Sequence, residues 1–138
     1  MKIFPYLNFP GTCAEAFTFY AETLRGEITF MQTHGDSPMK DMVGADWQDK
    51  VMHATFQVGD QQIAGSDAPL HMQANPAGFM VTINPTDPDH AKRIFAAFKE
   101  GGEVKMELQE TFWTPLFGMV TDRFGTPWMI SLEAGALA

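Results

Sequence analysis

The chain has 138 residues, of which 45% are hydrophobic, and this is enough to fill the core of one globular domain. Its 17 acidic and 9 basic residues give a net charge of −8, which argues against nucleic acid and anionic membranes as partners, because both attract lysine and arginine. No apolar run is long enough to cross a bilayer, and the single cysteine, Cys13, cannot form an internal disulfide. We therefore expect one cytoplasmic domain over residues 1–138.

The chain begins with a predicted strand and helix. Residues 2–9 are rich in aromatic side chains and indicate a short strand, and Pro5 favours a position at a sheet edge because it has no N–H to donate. Thr12 and Glu15 have the spacing of a capping box, which predicts the start of a helix. Gly26 is suited to the left-handed residue that ends a helix.

Three predicted strands follow this helix. The segment 27–33 is short and β-like, and the polar segment 34–50 is a predicted loop that could act as a lid. Apolar and polar residues alternate over 51–58, which is typical of a half-buried strand. Gly59-Asp60 predicts a two-residue turn into a partner strand over 61–66.

The second half of the chain repeats this order. Residues 68–77 are irregular and contain two prolines, which indicates a linker. The elements predicted after it are a strand over 78–84, a helix between Asp87-Pro88 and Gly101-Gly102, a strand over 103–108 and a hairpin over 116–132. Five residues recur at one constant offset: Asn8, Phe19, Ala21, Gly26 and Glu27 correspond to Asn84, Phe95, Ala97, Gly102 and Glu103. The pattern predicts an α+β fold of two βαβββ units, at about 1–67 and 78–133.

Several sequence blocks resemble the PhnB-like branch of the vicinal-oxygen-chelate superfamily, which includes glyoxalase I, bleomycin-resistance proteins and extradiol dioxygenases. The resemblance rests on the segments 5–9, 63–67, 109–113 and 120–130, together with Cys13, Ala16, Phe19-Tyr20 and His53-Ala54. It implies that each unit forms a curled half-barrel sheet with its helix on the outside. It also implies a homodimer that binds a small molecule in a half-barrel cleft.

The metal site of the superfamily is hard to place on this chain. The resemblance puts its ligand positions near Phe4 or Pro5 on the first strand, near Gly78 or Phe79 on the fifth, and near Met129 on the last. None of these residues can replace a histidine or glutamate as a ligand of a divalent metal. We therefore expect no metal at the usual positions, although a divalent ion bound elsewhere stays possible.

Members of this branch have also carried the label of a demethylubiquinone methyltransferase, which the sequence does not support, since it shows no Gly-rich loop between a strand and a helix.

Three residues are candidates for catalysis. His53 lies on the more polar face of its strand, where it could act as a ligand, a base or a hydrogen-bonding group, although a structural role is the commoner one. Asp67 ends the next strand and could pair with His53, or else cap a turn. Glu110 could act as a general base near the second half-barrel, but alternation puts Glu107 and Gln109 on the opposite face, and such residues are more often solvated.

Aromatic side chains could form the wall of an apolar pocket, although burial in the core would explain them equally well. The residues proposed for ligand binding are Tyr6, Asn8, His53, Ser66, Asp67, Trp113, Phe117, Trp128 and Met129. The other three histidines, His34, His71 and His90, have no metal-binding spacing and are expected at the surface. Cys13 lies in the first turn of a helix, which can lower a thiol pKa, but a packing role is the simpler interpretation.

Three functions remain open from the sequence. The first is a small-molecule-binding PhnB-like protein with unproven catalysis. The second is a metal-dependent lyase, isomerase or dioxygenase whose site is rearranged around His53, Asp67 and Glu110. The third is sequestration of a toxic compound, and for this the acidic surface would suit a cationic ligand.

Overall fold

The computed structural model of the chain describes residues 1–133, apart from the side chain of Leu70. The helices and strands are β1 Tyr6–Phe9, α1 Cys13–Leu24, β2 Glu27–Thr33, β3 Val51–Val58, β4 Gln61–Asp67, β5 Val81–Ile83, α2 Pro88–Lys99, β6 Glu103–Gln109, β7 Phe117–Thr121 and β8 Pro127–Ser131. The order βαβββ therefore occurs twice, which confirms the predicted α+β class and its half-barrel repeats. The chain divides into two compact units between Ala74 and Asn75.

In the first unit, the sheet has the strand order β1-β4-β3-β2. The edge strand β1 runs parallel to β4, and the other pairs are antiparallel. Helix α1 covers one face of this sheet, where the rings of Phe17 and Tyr20 lie 4.9 and 5.9 Å from that of Phe56. We call this the helix face and the opposite side the open face.

In the second unit, the sheet repeats the arrangement with the order β5-β8-β7-β6. Helix α2 buries the four apolar residues that its spacing predicts, Ala91, Ile94, Phe95 and Phe98. Phe98 stacks on Trp128 of β8 with the ring centroids 4.7 Å apart. Asp87 caps this helix as predicted, because its carboxylate accepts a hydrogen bond from the Asp89 N–H at 3.0 Å.

The start of α1 is capped differently from the sequence prediction. The helix does begin after Thr12, but the Thr12 side chain makes no capping hydrogen bond, so the capping-box prediction is wrong. Instead, Asp67 Oδ1 accepts hydrogen bonds from the N–H groups of Gly11 and Cys13, at 3.1 and 2.9 Å. A carboxylate at the end of β4 therefore does for this helix what a local side chain does for α2.

The end of α1 also departs from the prediction. Arg25, with φ 58° and ψ 42°, is the left-handed residue, and Gly26 is not. Gly26 is needed for a different reason: a Cβ atom there would overlap the backbone carbonyl of Gln57. Gly102 has the same role in the second unit, where a Cβ would overlap the carbonyl of Thr121. The repeated glycine therefore marks a close approach between the start of one strand and its neighbour.

The predicted loop over 34–50 is ordered by its own hydrogen bonds and contains two short 3-10 turns, Lys40–Met42 and Ala45–Trp47. The amide of Gln48 lies within hydrogen-bond distance of three backbone carbonyls of the loop, those of Lys40, Val43 and Gly44, at 2.8, 3.2 and 3.3 Å. His34 is half-buried with its Nε2 atom inside the protein, so its expected surface position is wrong. His90 is likewise half-buried, whereas His71 is exposed as expected.

Strand β5 is shorter than the strand predicted over 78–84. It begins at Val81, so Gly78 and Phe79 precede the strand instead of belonging to it. The closing hairpin is confirmed, with a turn in which the Asp122 N–H donates a backbone hydrogen bond of 3.0 Å to the Thr126 carbonyl. Within residues 1–133, no helix has the length and apolar character that spanning a membrane would require.

Candidate ligand-binding site

The open face of the first unit brings together polar and aromatic side chains from all four strands. On β3, Ala54 and Phe56 are buried against α1, so alternation directs His53 to the opposite side. Strand pairing adds residues from β1, β4 and β2 to the same face, namely Tyr6, Asn8, Ala64, Ser66 and Phe30. Three of these residues, Tyr6, Asn8 and Ser66, were predicted as ligand-binding from the sequence together with His53.

Tyr6 and His53 form a direct pair on this face. The Tyr6 hydroxyl lies 3.1 Å from His53 Nδ1, and the two rings are stacked at 5.7 Å with an angle of 20° between their planes. The two residues belong to strands that are separated by β4, about 10 Å apart at the usual strand spacing. They can meet because β4 presents only the small side chains of Ala64 and Ser66 there, and Ala64 is completely buried.

Phe30 completes a cluster of three rings. Its centroid lies 5.8 Å from that of His53, on the side of the edge strand β2. We call Tyr6, Phe30 and His53 the aromatic cluster. Tyr6 and Phe30, from the two edge strands, are each 46% exposed, which is a high value for large aromatic rings. Beside the cluster, the Ser66 hydroxyl lies 3.5 Å from Asn8 Oδ1 and provides a polar margin.

Asp67 takes no part in this face. Asp67 pairs with Phe9, so its side chain is on the helix face, and only 4% of Asp67 is exposed. Its Oδ2 atom accepts a hydrogen bond of 2.8 Å from the Val51 N–H, while Oδ1 caps α1. His53 therefore pairs with Tyr6, and the predicted pair of His53 with Asp67 does not form. Asp67 has the alternative role predicted for it, that of a capping residue.

Cys13 is buried beside Asp67 at the start of α1. Burial of the thiol, together with the nearby Asp67 carboxylate, raises the pKa of Cys13 far above its ordinary range. Both effects oppose the activation that a helix N-terminus can give to a thiol. The packing interpretation of Cys13 therefore holds.

The candidates of the second unit are dispersed. Trp128 is fully buried in the core against Phe98, and its Nε1 donates a 2.8 Å hydrogen bond to Asp122 Oδ2, so its side chain is not accessible to a ligand. Glu110 is exposed, as are Glu107 and Gln109. This supports the alternative that these side chains are solvated.

The aromatic residues that precede β7 are arranged as a row. Trp113 is half-exposed and lies 5.1 Å from the buried ring of Phe117, while Phe112 is 97% exposed. Met129 lies on the opposite face from Trp128, half-buried, with its sulfur 3.7 Å from the Thr82 hydroxyl. Of the predicted second-unit residues, Trp113 and Met129 therefore remain accessible to a ligand.

Metal-ligating side chains do not converge in the described part of the chain. Among residues 1–133, no three histidine, cysteine, aspartate or glutamate side chains lie close enough together to hold a metal ion. At the superfamily positions, Phe4 and Pro5 precede β1, and Met129 offers a thioether. A thioether is a soft ligand that does not suit the hard divalent ions.

Phe30 is the member of the aromatic cluster that the sequence did not reveal. The segment 27–33 has apolar residues at Ile28, Phe30 and Met31, which do not alternate cleanly. The register of β2 against β3 shifts between Ile28 and Phe30, so counting along the strand assigns the wrong face beyond the irregularity. Only the pairing with β3 identifies Phe30 as a neighbour of His53.

Two βαβββ units with open four-stranded sheets define the class: the chain is a vicinal-oxygen-chelate protein. Two solved structures with low sequence identity to this chain share its fold. They are the bleomycin-binding protein of Streptomyces verticillus, at 18% identity over 96% of both chains with a TM-score of 0.58, and the fosfomycin resistance protein FosX of Listeria monocytogenes, at 12% identity with a TM-score of 0.61. FosX is matched over 98% of this chain and 94% of its own.

More specifically, the chain belongs to the PhnB-like family described as 3-demethylubiquinone-9 3-methyltransferase, which matches residues 1–131. Protein YjdN of Escherichia coli K12 is 33% identical over 96% of this chain and 95% of its own length. The crystal structure of PA1353 from Pseudomonas aeruginosa shares 42% identity and a TM-score of 0.87, over 96% of this chain and 98% of that one. The PhnB protein of Bacillus cereus shares 25% identity and a TM-score of 0.77, over 96% of this chain and all of its own.

Proposed function

We propose that this chain is a PhnB-like protein that binds a small molecule on the open face of its first unit, against the aromatic cluster. The observation that carries the proposal is the pairing of Tyr6 with His53 beside Phe30. Three rings from three different strands converge on one face, and two of them are half exposed. A planar apolar group is the ligand feature that such rings bind best.

The polar atoms beside the rings add direction to this apolar contact. Asn8 and Ser66 supply an amide and a hydroxyl at the margin of the cluster. Each can both donate and accept hydrogen bonds, and groups of this kind orient a ligand in an otherwise apolar site. We therefore expect a ligand with a flat ring and polar substituents at one edge.

The proposal is binding without methyl transfer. The two strand-to-helix connections in the described residues are 10–12, after β1, and 84–87, after β5. The first contains one glycine and the second none, whereas nucleotide-type cofactors are held at such connections by several glycines that allow close approach of the backbone. The family description therefore names an activity for which these connections supply no recognisable cofactor loop.

The test is a screen of small monocyclic and bicyclic aromatic compounds by NMR, with backbone amide shifts as the readout. Binding should perturb the amides of Tyr6, Phe30 and His53 first. Phe30→Ala should weaken the best compound by roughly two- to tenfold, since an aromatic contact contributes about 0.5–1.5 kcal/mol. The matched control is Phe79→Ala, because Phe79 is 50% exposed against 46% for Phe30 but lies in the second unit.

A clear failure has two forms. If no compound perturbs the cluster, or if Phe79→Ala weakens binding as much as Phe30→Ala, the proposed site is wrong. Recovery of the ligand unchanged after prolonged incubation supports binding. Turnover of the ligand, with a metal ion retained in purified wild-type protein and lost on His53→Ala, would support the metal-dependent alternative instead.

A further inference from the structure

The hydrogen bond between Tyr6 and His53 selects which nitrogen of the imidazole carries the proton. The two atoms that face each other, the Tyr6 hydroxyl oxygen and His53 Nδ1, are 3.1 Å apart, so one donates and the other accepts. The lone pair of an unprotonated imidazole nitrogen is more basic than that of a phenol oxygen, which is delocalised into the ring. The favoured arrangement therefore has the Tyr6 O–H donating to Nδ1.

We infer that His53 presents a protonated Nε2 to the ligand, so that this site selects compounds with a hydrogen-bond acceptor on a flat ring. In a neutral imidazole only one nitrogen bears hydrogen. Once Nδ1 accepts from Tyr6, the hydrogen lies on Nε2, and His53 becomes a donor without a free lone pair. The inference rests on the proposed function for its ligand, but the state of the imidazole can be measured without one.

The neighbours of His53 support the same arrangement. Stacking at 5.7 Å and 20° holds the imidazole parallel to the Tyr6 ring, and Phe30 lies 5.8 Å away on the other strand. Ala64, fully buried between β1 and β3, leaves the space in which the two rings meet. The imidazole is therefore confined by packing as well as by one hydrogen bond, and a fixed donor gives more specificity than a rotating one.

This state of His53 also bears on the alternative roles that its position suggests. A histidine that binds a metal uses the lone pair of one nitrogen and usually donates its other N–H to an acceptor. Here the second nitrogen is itself the acceptor, so the hydrogen bond to Tyr6 would have to reverse before Nε2 could coordinate. For the same reason His53 has no free nitrogen with which to act as a general base.

The first experiment measures the imidazole of the free protein by long-range proton–nitrogen NMR, which distinguishes the two neutral tautomers. His53 should show a protonated Nε2 and an unprotonated Nδ1, and Tyr6→Phe should return it to a mixture. The exposed His71 provides an internal reference in the same spectrum. A protonated Nδ1 in the wild-type protein, or an unchanged tautomer in Tyr6→Phe, overturns the inference.

The second experiment compares two probes of nearly equal size. 1-Methyl-2-pyridone has a carbonyl acceptor and no charge, whereas 1-methylpyridinium is a cation without an acceptor. The pyridone should bind more tightly by at least about fivefold, as expected for one hydrogen bond of about 1 kcal/mol. His53→Gln, which keeps a donor near the position of Nε2, should retain part of this preference, and His53→Ala should lose it.

The outcomes separate the two proposals. Equal binding, or tighter binding of the pyridinium, would mean that the rings recognise a cation through their faces, which overturns the acceptor rule while leaving ligand binding intact. If neither probe perturbs the cluster although the tautomer is as stated, the proposed binding function fails and the ligand rule falls with it.

Discussion

A single buried carboxylate joins three segments of the first unit. Asp67 accepts hydrogen bonds from Gly11, Cys13 and Val51, which belong to the turn after β1, the start of α1 and the start of β3. Backbone N–H groups at these positions have no partner within their own elements. The carboxylate therefore satisfies donors that are distant in sequence but adjacent in the folded unit.

Asp67→Asn should destabilise the protein by about 2–3 kcal/mol, because an amide can accept on one side only and turns a donor towards another donor. Urea denaturation followed by circular dichroism measures the change. The matched control is Asp60→Asn, since Asp60 is exposed in a turn and its carboxylate accepts a hydrogen bond from the exposed Gln61 amide. A loss for Asp67→Asn no larger than that for the control would contradict the capping role.

The buried thiol of Cys13 makes stability depend on alkaline pH. Its pKa is raised from an ordinary value of 9.0 in the folded protein, so above about pH 9 the unfolded chain releases a proton that the folded chain retains. Stability should therefore fall with rising pH, by up to about 1.4 kcal/mol per pH unit.

The comparison that isolates this effect is wild type against Cys13→Ala, by urea denaturation from about pH 8 to about pH 10. The variant should lose the extra slope, whatever its starting stability. The native thiol should also resist iodoacetamide until the protein unfolds, since the thiolate is the reactive form. Rapid alkylation of the folded protein would show that Cys13 is accessible.

At the scale of elements, the junction between each helix and the following strand depends on a glycine. Gly26 and Gly102 occupy equivalent places, and a Cβ at either would overlap the carbonyl oxygen of a neighbouring strand, from Gln57 or Thr121. Backbone carbonyls cannot move aside as flexible side chains can. The strand after the helix therefore pairs closely only because this position has no side chain.

Gly26→Ala and Gly102→Ala should each cost about 1–3 kcal/mol, as expected when extra volume is forced into a packed region. Thermal unfolding measures the loss in each variant. Gly44→Ala is the control, because its Cβ would approach only a carboxylate oxygen of the Asp46 side chain, at 3.0 Å, which can rotate away. Equal stability of all three variants would show that the strands can separate slightly at no cost.

The elements were predictable where the signal is local. The β3 strand, the Gly59-Asp60 turn, the cap at Asp87 and the apolar face of α2 all follow from spacing and from turn chemistry. The capping of α1 by Asp67 was not predictable, because the two segments are 54 residues apart and only strand pairing brings them together. For the candidate site, alternation placed His53, but the irregular register of β2 concealed Phe30.

At the scale of the molecule, the two repeated units have different side chains at corresponding positions. A candidate site therefore occurs on the first sheet and not on the second. By strand register, Tyr6 corresponds to Thr82 on β5 and His53 corresponds to Phe117 on β7, so the second sheet has no hydrogen-bonded tyrosine–histidine pair at that place. What the second unit offers instead is an exposed aromatic turn. Phe112 is 97% exposed and contacts Trp113 at 4.8 Å, at a turn in which the Thr111 N–H donates to the Thr114 carbonyl.

Together, Phe112 and the half-exposed Trp113 form an aromatic surface whose burial would remove apolar area from water. We expect the chain to form a homodimer in which Phe112 is buried. Sedimentation equilibrium should therefore give twice the mass of one chain over roughly a hundredfold range of concentration. Phe112→Ser should raise the dimer dissociation constant by at least about tenfold, while the exposed-surface control Glu100→Gln should leave it unchanged. A monomeric wild type would refute the dimer, and a Phe112→Ser variant as dimeric as wild type would place the interface elsewhere.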